Sequence, residues 1–207
     1  MKAQQRTTVP SIGSGQHTAS KVHSLLHNDL GVQLPLHISL SRSLILQTEQ
    51  KDAFSLRLIK AAASCGVRVF DVVPQELKWH PNEDGTRWFL VIQVTSAGGE
   101  LLRLLQTCNS VAVAHDQPIL YEHDKANTNS TQQGQDEAHA AVLEKFHISI
   151  AWSLQAPGTD DDGSIDRTIE LSRDVSEMSI SFDSLKLRVG QDVTPIPLAT
   201  RRPKSGS

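Results

Sequence analysis

Features that would indicate a disulfide framework, a membrane span or a secreted protein are missing from this sequence. It has only two cysteines, Cys65 and Cys108, in 207 residues. Both lie in apolar patterns with helical spacing, so we expect two buried, reduced thiols. No stretch approaches the roughly 18 consecutive apolar residues of a membrane-spanning helix, and the N-terminus lacks the apolar core of a signal peptide. These absences predict an intracellular protein with no membrane segment, in the cytosol or the nucleus.

The sequence also lacks a strong charge of either sign. Its formal net charge is −3 at pH 7 and its hydrophobic fraction is 38%, which is a globular composition. Proteins that bind duplex nucleic acid broadly usually carry a clearly basic face. The charge balance therefore argues against such binding, but it is compatible with a local basic cleft that holds a short single strand.

The order of predicted elements indicates an α/β (α+β) domain at 21–198. Residues 1–20 and 199–207 are polar and are expected to be flexible tails. A stretch rich in Asn, Gln, Thr and Ser at about 124–137 indicates a loop or insertion. From hydrophobic spacing we predict helices at Lys21 to Leu30, at Thr48 to Cys65 and from Ser96 or Gly98 to about Ala114, and the clearest strand at Arg87 to Thr95.

Two further strand patterns contain an irregularity. Pro74 is expected to end the strand that begins at Val67, because proline cannot donate a ladder hydrogen bond. The alternating stretch from Met178 to Val189 changes its phase once, near Asp183. We therefore expect the first strand to end at Pro74 and the second stretch to be a strand with one slip.

Two short segments contain the same His-Ile-Ser tripeptide within an apolar alternation. The first is Leu36 to Ser41 and the second is Phe146 to Trp152. Because successive side chains of a strand point to opposite faces, each histidine shares its face with the serine two residues later. The repeat predicts two lobes related by a pseudo-twofold axis, with mostly antiparallel sheets flanked by helices and one site shared between them.

The polar pairs of this repeat have the chemistry needed to cleave RNA. Histidine titrates near neutral pH, so His37 and His147 can act together as one base and one acid. A base can take the proton of a ribose 2′-OH, which attacks the neighbouring phosphorus, while an acid protonates the leaving 5′-oxygen. The hydroxyls of Ser39 and Ser149 can donate hydrogen bonds to the phosphate oxygens as charge develops.

The paired His-x-Ser motifs resemble those of the two-histidine (2H) phosphoesterase superfamily. His-Ile-Ser-Leu-Ser-Arg at 37–42 and Phe-His-Ile-Ser-Ile-Ala-Trp at 146–152 are similar to motifs of the U6 small nuclear RNA biogenesis phosphodiesterase family, and the stretches 87–96 and 189–198 resemble further segments of it. The resemblance implies a two-lobed, monomeric 3′-to-5′ exonuclease that needs no metal or other cofactor. Its partner is the single-stranded oligouridine 3′ end of U6 RNA, in the nucleus.

The resemblance also implies roles for single residues. His37, Ser39, His147 and Ser149 match the catalytic positions, with His147 as the base for the 2′-OH and His37 as the acid. In this family a tyrosine before the second motif stacks on the terminal base, and Tyr121 is the only tyrosine in the chain.

Other residues near the motifs are candidates for contacts with RNA or with a metal. Ser41 shares the polar face of the first motif, so we expect a contact with phosphate or ribose. Trp152 either faces the cleft and stacks on a base or packs in the core. His23 and His27 have i,i+4 spacing on a predicted helix, but no third ligand is spaced to complete a metal site, so we expect a surface helix and no metal.

Two alternatives to RNA trimming remain open from the sequence. One is a sibling enzyme of the same superfamily that opens 2′,3′-cyclic phosphates on tRNA-splicing or nucleotide products. The other is a non-catalytic RNA-binding module in which the two motifs only hold phosphate.

Overall fold

The computed structural model describes residues 21–121, 139–155 and 168–200. The predicted N-terminal tail at 1–20, the predicted insertion at 124–137 and residues 201–207 lie outside the described residues. Ala199, the first residue of the predicted C-terminal tail, forms a parallel bridge with Arg68 and accepts a 2.9 Å hydrogen bond from the amide of Val69. Among the described helices, none is long and apolar enough to cross a membrane.

Antiparallel pairing builds the larger of two sheets in the described residues. Its strands are β1 (Val22–Ser24), β2 (Phe70–Pro81), β3 (Trp88–Ser96), β4 (His147–Ser153), β5 (Thr168–Ile169) and β6 (Ile180–Phe182). Their order is β1-β4-β3-β2-β5, and β6 pairs with the first part of β2. The second sheet is a hairpin of β7 (Ser184–Val189) and β8 (Asp192–Pro197). In both sheets every pair of strands runs antiparallel.

Two long helices, α1 (Thr48–Ser64) and α2 (Glu100–Val113), pack on each other and cover the sheets. The first begins with a capping box between Gln47 and Gln50 and is followed by Gly66 at φ +76°, a left-handed backbone that glycine adopts without strain. A short helix, α3 (Arg173–Ser176), lies before β6, and residues 139–143 are helical before β4. The predicted α/β class, with antiparallel sheets flanked by helices, is confirmed.

Two hydrophobic clusters give each sheet its own core. The larger cluster packs the big sheet against α2, with Val72, Val94, Leu104 and Phe146 at most 1% exposed. The smaller cluster packs α1 against the β7–β8 hairpin, and Leu185 contacts both clusters. The second motif belongs to the larger cluster through Phe146 and Ile148.

Three predictions about local structure were wrong. Lys21 to Leu30 contains strand β1, which pairs with the end of β4, and not a helix. Pro74 does not end a strand, because a bulge between Pro74 and Glu76 absorbs it within β2. The first His-Ile-Ser segment forms one isolated bridge, at Ile38, and not a full strand.

Candidate active site

A bridge between Ile38 and Ile148 brings the two His-Ile-Ser motifs side by side. The pairing is antiparallel and lies on the outer edge of β4. Strand β1 pairs along this edge, and the amide of Leu25 just after it donates to the carbonyl of Ile150 at 2.8 Å. The chain then leaves the edge and returns to it at Ile38. Both bridge residues pack in the larger hydrophobic cluster. The apolar middle residue of each motif therefore anchors it, and the polar residues lie on the opposite face.

The polar residues of the motifs alternate across this bridge. Residues that flank an antiparallel pair lie opposite each other, so His37 is placed beside Ser149, and Ser39 beside His147. His37 and Ser39 are exposed, while His147 and Ser149 are half-buried in β4. The bridge relates the motifs by a local twofold axis, which places one histidine and one serine at each end of a small polar patch.

Polar side chains of β2 and β3 extend the same face. Gln93 of β3 pairs with His147, and Glu76 of β2 pairs with Gln93, so the three side chains lie in one row across the sheet. The ammonium of Lys78 donates to Gln93 Oε1 at 2.8 Å and to Glu76 Oε2 at 2.9 Å. A positive charge held by a carboxylate and an amide therefore lies next to the second motif.

A third histidine contacts this site, and the sequence interpretation missed it. The ring of His80, from the far end of β2, lies 6.2 Å from the ring of His147 between centroids. One strand, β3, lies between the strands of the two residues, and the register offsets them along the sheet, so their approach reflects the strong curl of the sheet. Glu76, Lys78 and His80 alternate along β2, and this period-two polar pattern is the signal that could have revealed them.

A short hydrogen bond determines which nitrogen of His147 carries a proton. Nδ1 of His147 lies 2.7 Å from the carbonyl oxygen of Lys145. Because a carbonyl oxygen can only accept, Nδ1 must donate, and Nε2 of the neutral ring keeps its lone pair. This tautomer has the form that a general base needs, and the carbonyl stabilises the imidazolium that forms after proton transfer.

Tyr121 contacts the beginning of β4 through the same carbonyl. Its hydroxyl donates to Lys145 O at 2.8 Å, and its ring packs edge-on against Phe146 with centroids 6.0 Å apart. The ammonium of Lys145 lies 5.6 Å from the centre of the tyrosine ring. Burial raises the pKa of Tyr121 to about 12. The structure thus places Tyr121 close to His147 in space although it lies far from it in sequence.

A bulge in β4 turns Trp152 toward the face of the motif. The register passes from Ser149 opposite Val91 to Ala151 opposite Leu90, so Ile150 has no partner in β3. Without this extra residue, alternation would place Trp152 with the core residues of the strand. Trp152 instead lies opposite Phe89, on the face of His147 and Ser149 and not with Phe146 and Ile148.

His23 and His27 do not share a helix face. His23 lies in β1, opposite Trp152, and its ring stacks on the indole with centroids 4.2 Å apart and planes 8° apart. His27 lies beyond the strand, in a bridge with Gln33.

Ser41 is exposed just past the first motif. In the described ranges no three His, Cys, Asp or Glu side chains are close enough to hold a metal ion.

Two curated proteins share sequence with this chain. The protein named U6 snRNA phosphodiesterase 1 from Neurospora crassa is 34% identical over 142 residues, which is 62% of this chain and 35% of that protein. The protein of the same name from Drosophila melanogaster is 27% identical over 165 residues, which is 79% of this chain and 55% of that protein. The chain therefore spans between about a third and about a half of the length of these relatives.

Solved structures of Usb1 from Kluyveromyces marxianus have the same fold. One superimposes with a TM-score of 0.60 at 17% identity and covers 88% of this chain and 83% of that chain. The structure of that protein with uridine monophosphate gives a TM-score of 0.56 at 18% identity. The family HVSL, described as an uncharacterised conserved protein, matches residues 2–197. The chain thus belongs to the HVSL family, and the predicted kinship with the U6 snRNA phosphodiesterases is confirmed.

Proposed function

We propose that this protein is an RNA phosphodiesterase that trims the 3′ oligouridine end of U6 small nuclear RNA in the nucleus, as a monomer and without a metal. The observation that carries the proposal is the Ile38–Ile148 bridge, because it brings two histidines and two serines to one polar face. The names of the Neurospora and Drosophila relatives support the choice of substrate.

In the proposed reaction His147 is the base. Its Nε2 takes the proton of the 2′-OH of the penultimate nucleotide, and the resulting oxygen attacks the phosphorus that joins this nucleotide to the last one. The hydrogen bond from Nδ1 to Lys145 O keeps Nε2 available and supports the charged ring. Each turnover thereby begins with a proton transfer to a half-buried, oriented imidazole. The first turnover releases the terminal nucleoside, and each later one releases a nucleoside 2′,3′-cyclic phosphate.

His37 is the acid that completes the reaction. As the bond from phosphorus to the 5′-oxygen breaks, His37 gives its proton to that oxygen and the terminal nucleoside leaves. The shortened RNA ends in a 2′,3′-cyclic phosphate. Ser39 and Ser149 donate hydrogen bonds to the non-bridging oxygens, which carry more negative charge in the transition state. Ser41 adds a ribose or phosphate contact, and Tyr121 stacks on the terminal base.

The test is to incubate a short RNA with a 3′ oligouridine end in EDTA and to identify the products by mass spectrometry. We expect uridine from the first turnover, uridine 2′,3′-cyclic phosphate from each later turnover, and a shortened RNA with the mass of a cyclic phosphate. An RNA that carries 2′-deoxyuridine at the penultimate position should resist, because it lacks the nucleophile. Efficient cleavage of that RNA would rule out the transesterification route. Binding without any turnover would support the non-catalytic alternative.

Variants of the two histidines test their roles. We expect His37→Asn and His147→Asn each to lower kcat at least about 100-fold, since general acid–base catalysis contributes about 10²–10⁴-fold. His139→Asn is a matched control, because His139 is exposed in the helical stretch before β4. Circular dichroism should show the same fold for all three. Activity close to that of the unsubstituted protein in either motif variant contradicts the proposed mechanism.

A further inference from the structure

The indole of Trp152 lies between a side chain of β1 and the side chain of the residue that directly precedes β3. His23 of β1 stacks on it in parallel at 4.2 Å, and the guanidinium carbon of Arg87 lies 4.4 Å from the ring centroid. Because β1 and β3 lie on opposite sides of β4, and Arg87 directly precedes β3, the two groups approach the indole from different directions. Trp152 itself is half-buried, while Arg87 is exposed.

Arg87 differs from the basic side chains that form ion pairs in the described residues. The ion pairs found among the described residues use Arg42, Lys78 and Arg173, each with a glutamate. Arg87 instead rests on an aromatic face, which holds the guanidinium plane without neutralising its charge. The N–H groups around the edge of that plane remain suited to a phosphate, which arginine binds through two parallel hydrogen bonds.

The stack lies on the face that carries the second motif. The bulge at Ile150 is what brings Trp152 to this face, together with Phe89 opposite it. Trp152 follows Ser149 by three residues, which is roughly 10 Å along a strand. Tyr121 contacts the other end of β4, at Lys145 and Phe146. An RNA that crosses the site therefore meets Tyr121 on one side of the histidines and the stack on the other.

We infer that the stack of His23, Trp152 and Arg87 is a binding subsite for the RNA upstream of the cleaved bond, with Arg87 holding a backbone phosphate. This inference rests on the proposed function, because it takes the terminal nucleoside to lie beside Tyr121. The subsite recognises single-stranded phosphodiester of any sequence, since a phosphate contact carries no base information. It makes the enzyme prefer a chain to a dinucleotide.

The kinetic test compares a uridine dinucleotide with an oligouridine of about eight nucleotides. For the unsubstituted protein we expect a lower KM on the longer RNA. Arg87→Ala should raise the KM of the longer RNA about tenfold and leave kcat and the dinucleotide KM unchanged. Arg57→Ala, which removes an exposed arginine of α1, should change neither. Equal KM values for both RNAs in the unsubstituted protein would overturn the subsite.

The binding test does not depend on turnover. Fluorescence anisotropy measures the Kd of the longer RNA with 2′-deoxyuridine at its penultimate position, at several salt concentrations. Loss of one phosphate contact should reduce the slope of log Kd against log salt by about 0.7 in Arg87→Ala. Arg87→Lys should keep the slope but bind more weakly, because lysine lacks the planar fork. A purely structural stack would change the melting temperature and leave the slope unchanged, and this result would overturn the inference.

The two tests separate the two proposals. The unsubstituted protein could cleave neither RNA but bind the longer one, with a slope of log Kd against log salt that falls in Arg87→Ala. In that case the subsite stands and the proposed reaction fails. If it cleaves both RNAs and Arg87→Ala behaves like Arg57→Ala, the reaction stands and the subsite fails.

Discussion

Tyr121 and His147 donate hydrogen bonds to the same acceptor, the carbonyl oxygen of Lys145, at 2.8 and 2.7 Å. The turn that leads into β4 therefore holds the proposed base and the proposed base-stacking ring against one peptide group. The hydroxyl of Tyr121 forms a hydrogen bond and its ring packs against Phe146. Substitutions that remove the hydroxyl or the ring can therefore separate the contribution of Tyr121 to folding from its contribution to binding.

Replacing Tyr121 by phenylalanine should cost stability but not affinity. The variant loses one hydrogen bond, worth about 1 kcal/mol of unfolding free energy, and keeps the aromatic face. Tyr121→Leu removes that face, so we expect its KM for a uridine-terminated RNA to rise at least about fivefold, since base stacking contributes about 1–3 kcal/mol. Urea unfolding and steady-state kinetics measure the two effects. A leucine variant with unchanged KM would show that the terminal base stacks elsewhere.

The ionisation of Tyr121 gives a pH prediction. Burial raises its pKa to about 12 in the folded protein, against 10 for the exposed side chain. Between these values the folded state holds a proton that the unfolded state has lost, so the stability falls as the pH rises from about 10 to 12. Because the chain has one tyrosine, tyrosinate absorbance reports this group alone. A midpoint near 10 in the folded protein would contradict the buried position.

Phe146 should be among the most sensitive positions for stability. Its side chain is fully buried, at 0% exposure, in the larger cluster and touches the edge of Tyr121. Phe146→Ala should lower the free energy of unfolding by about 3–5 kcal/mol through lost burial and the cavity left behind. Ile45→Ala, at a position 84% exposed, should change it by less than about 0.5 kcal/mol. Similar losses for the two variants would contradict this view of the core.

Local patterns were enough to predict the long elements. The predicted helices at Thr48 and near Gly98 correspond to α1 and α2, and the apolar run after Arg87 is the central strand β3. The change of phase near Asp183 marks a division into two strands that the sequence analysis did not predict. The chain passes there from β6, which pairs with β2, to β7, which pairs with β8. For α1, α2 and β3 the pattern that predicts the element lies within the element itself.

Features that depend on distant pairing were not predictable. Residues Val22–Ser24 form a strand only because β4, more than a hundred residues later, offers its edge. The bulge at Ile150 is defined by the register against β3, and no local pattern shows which residue will lack a partner. The approach of His80 to His147 needs the curl of the whole sheet. The sequence predicted the motifs, whereas the groups that surround them depend on tertiary structure.

Substitutions of Glu76 and Lys78 should change the KM for RNA in opposite directions. Both side chains contact each other beside Gln93, the neighbour of His147. Lys78→Met leaves the glutamate charge to repel phosphate, so we expect the KM for any RNA to rise about threefold at low ionic strength. Glu76→Gln leaves the lysine charge to attract phosphate, and the KM should fall by a similar factor. Both effects should shrink in 0.5 M salt, about the level at which screening dominates. Shifts of the same sign in the two variants would show that the pair acts through structure and not through its charge.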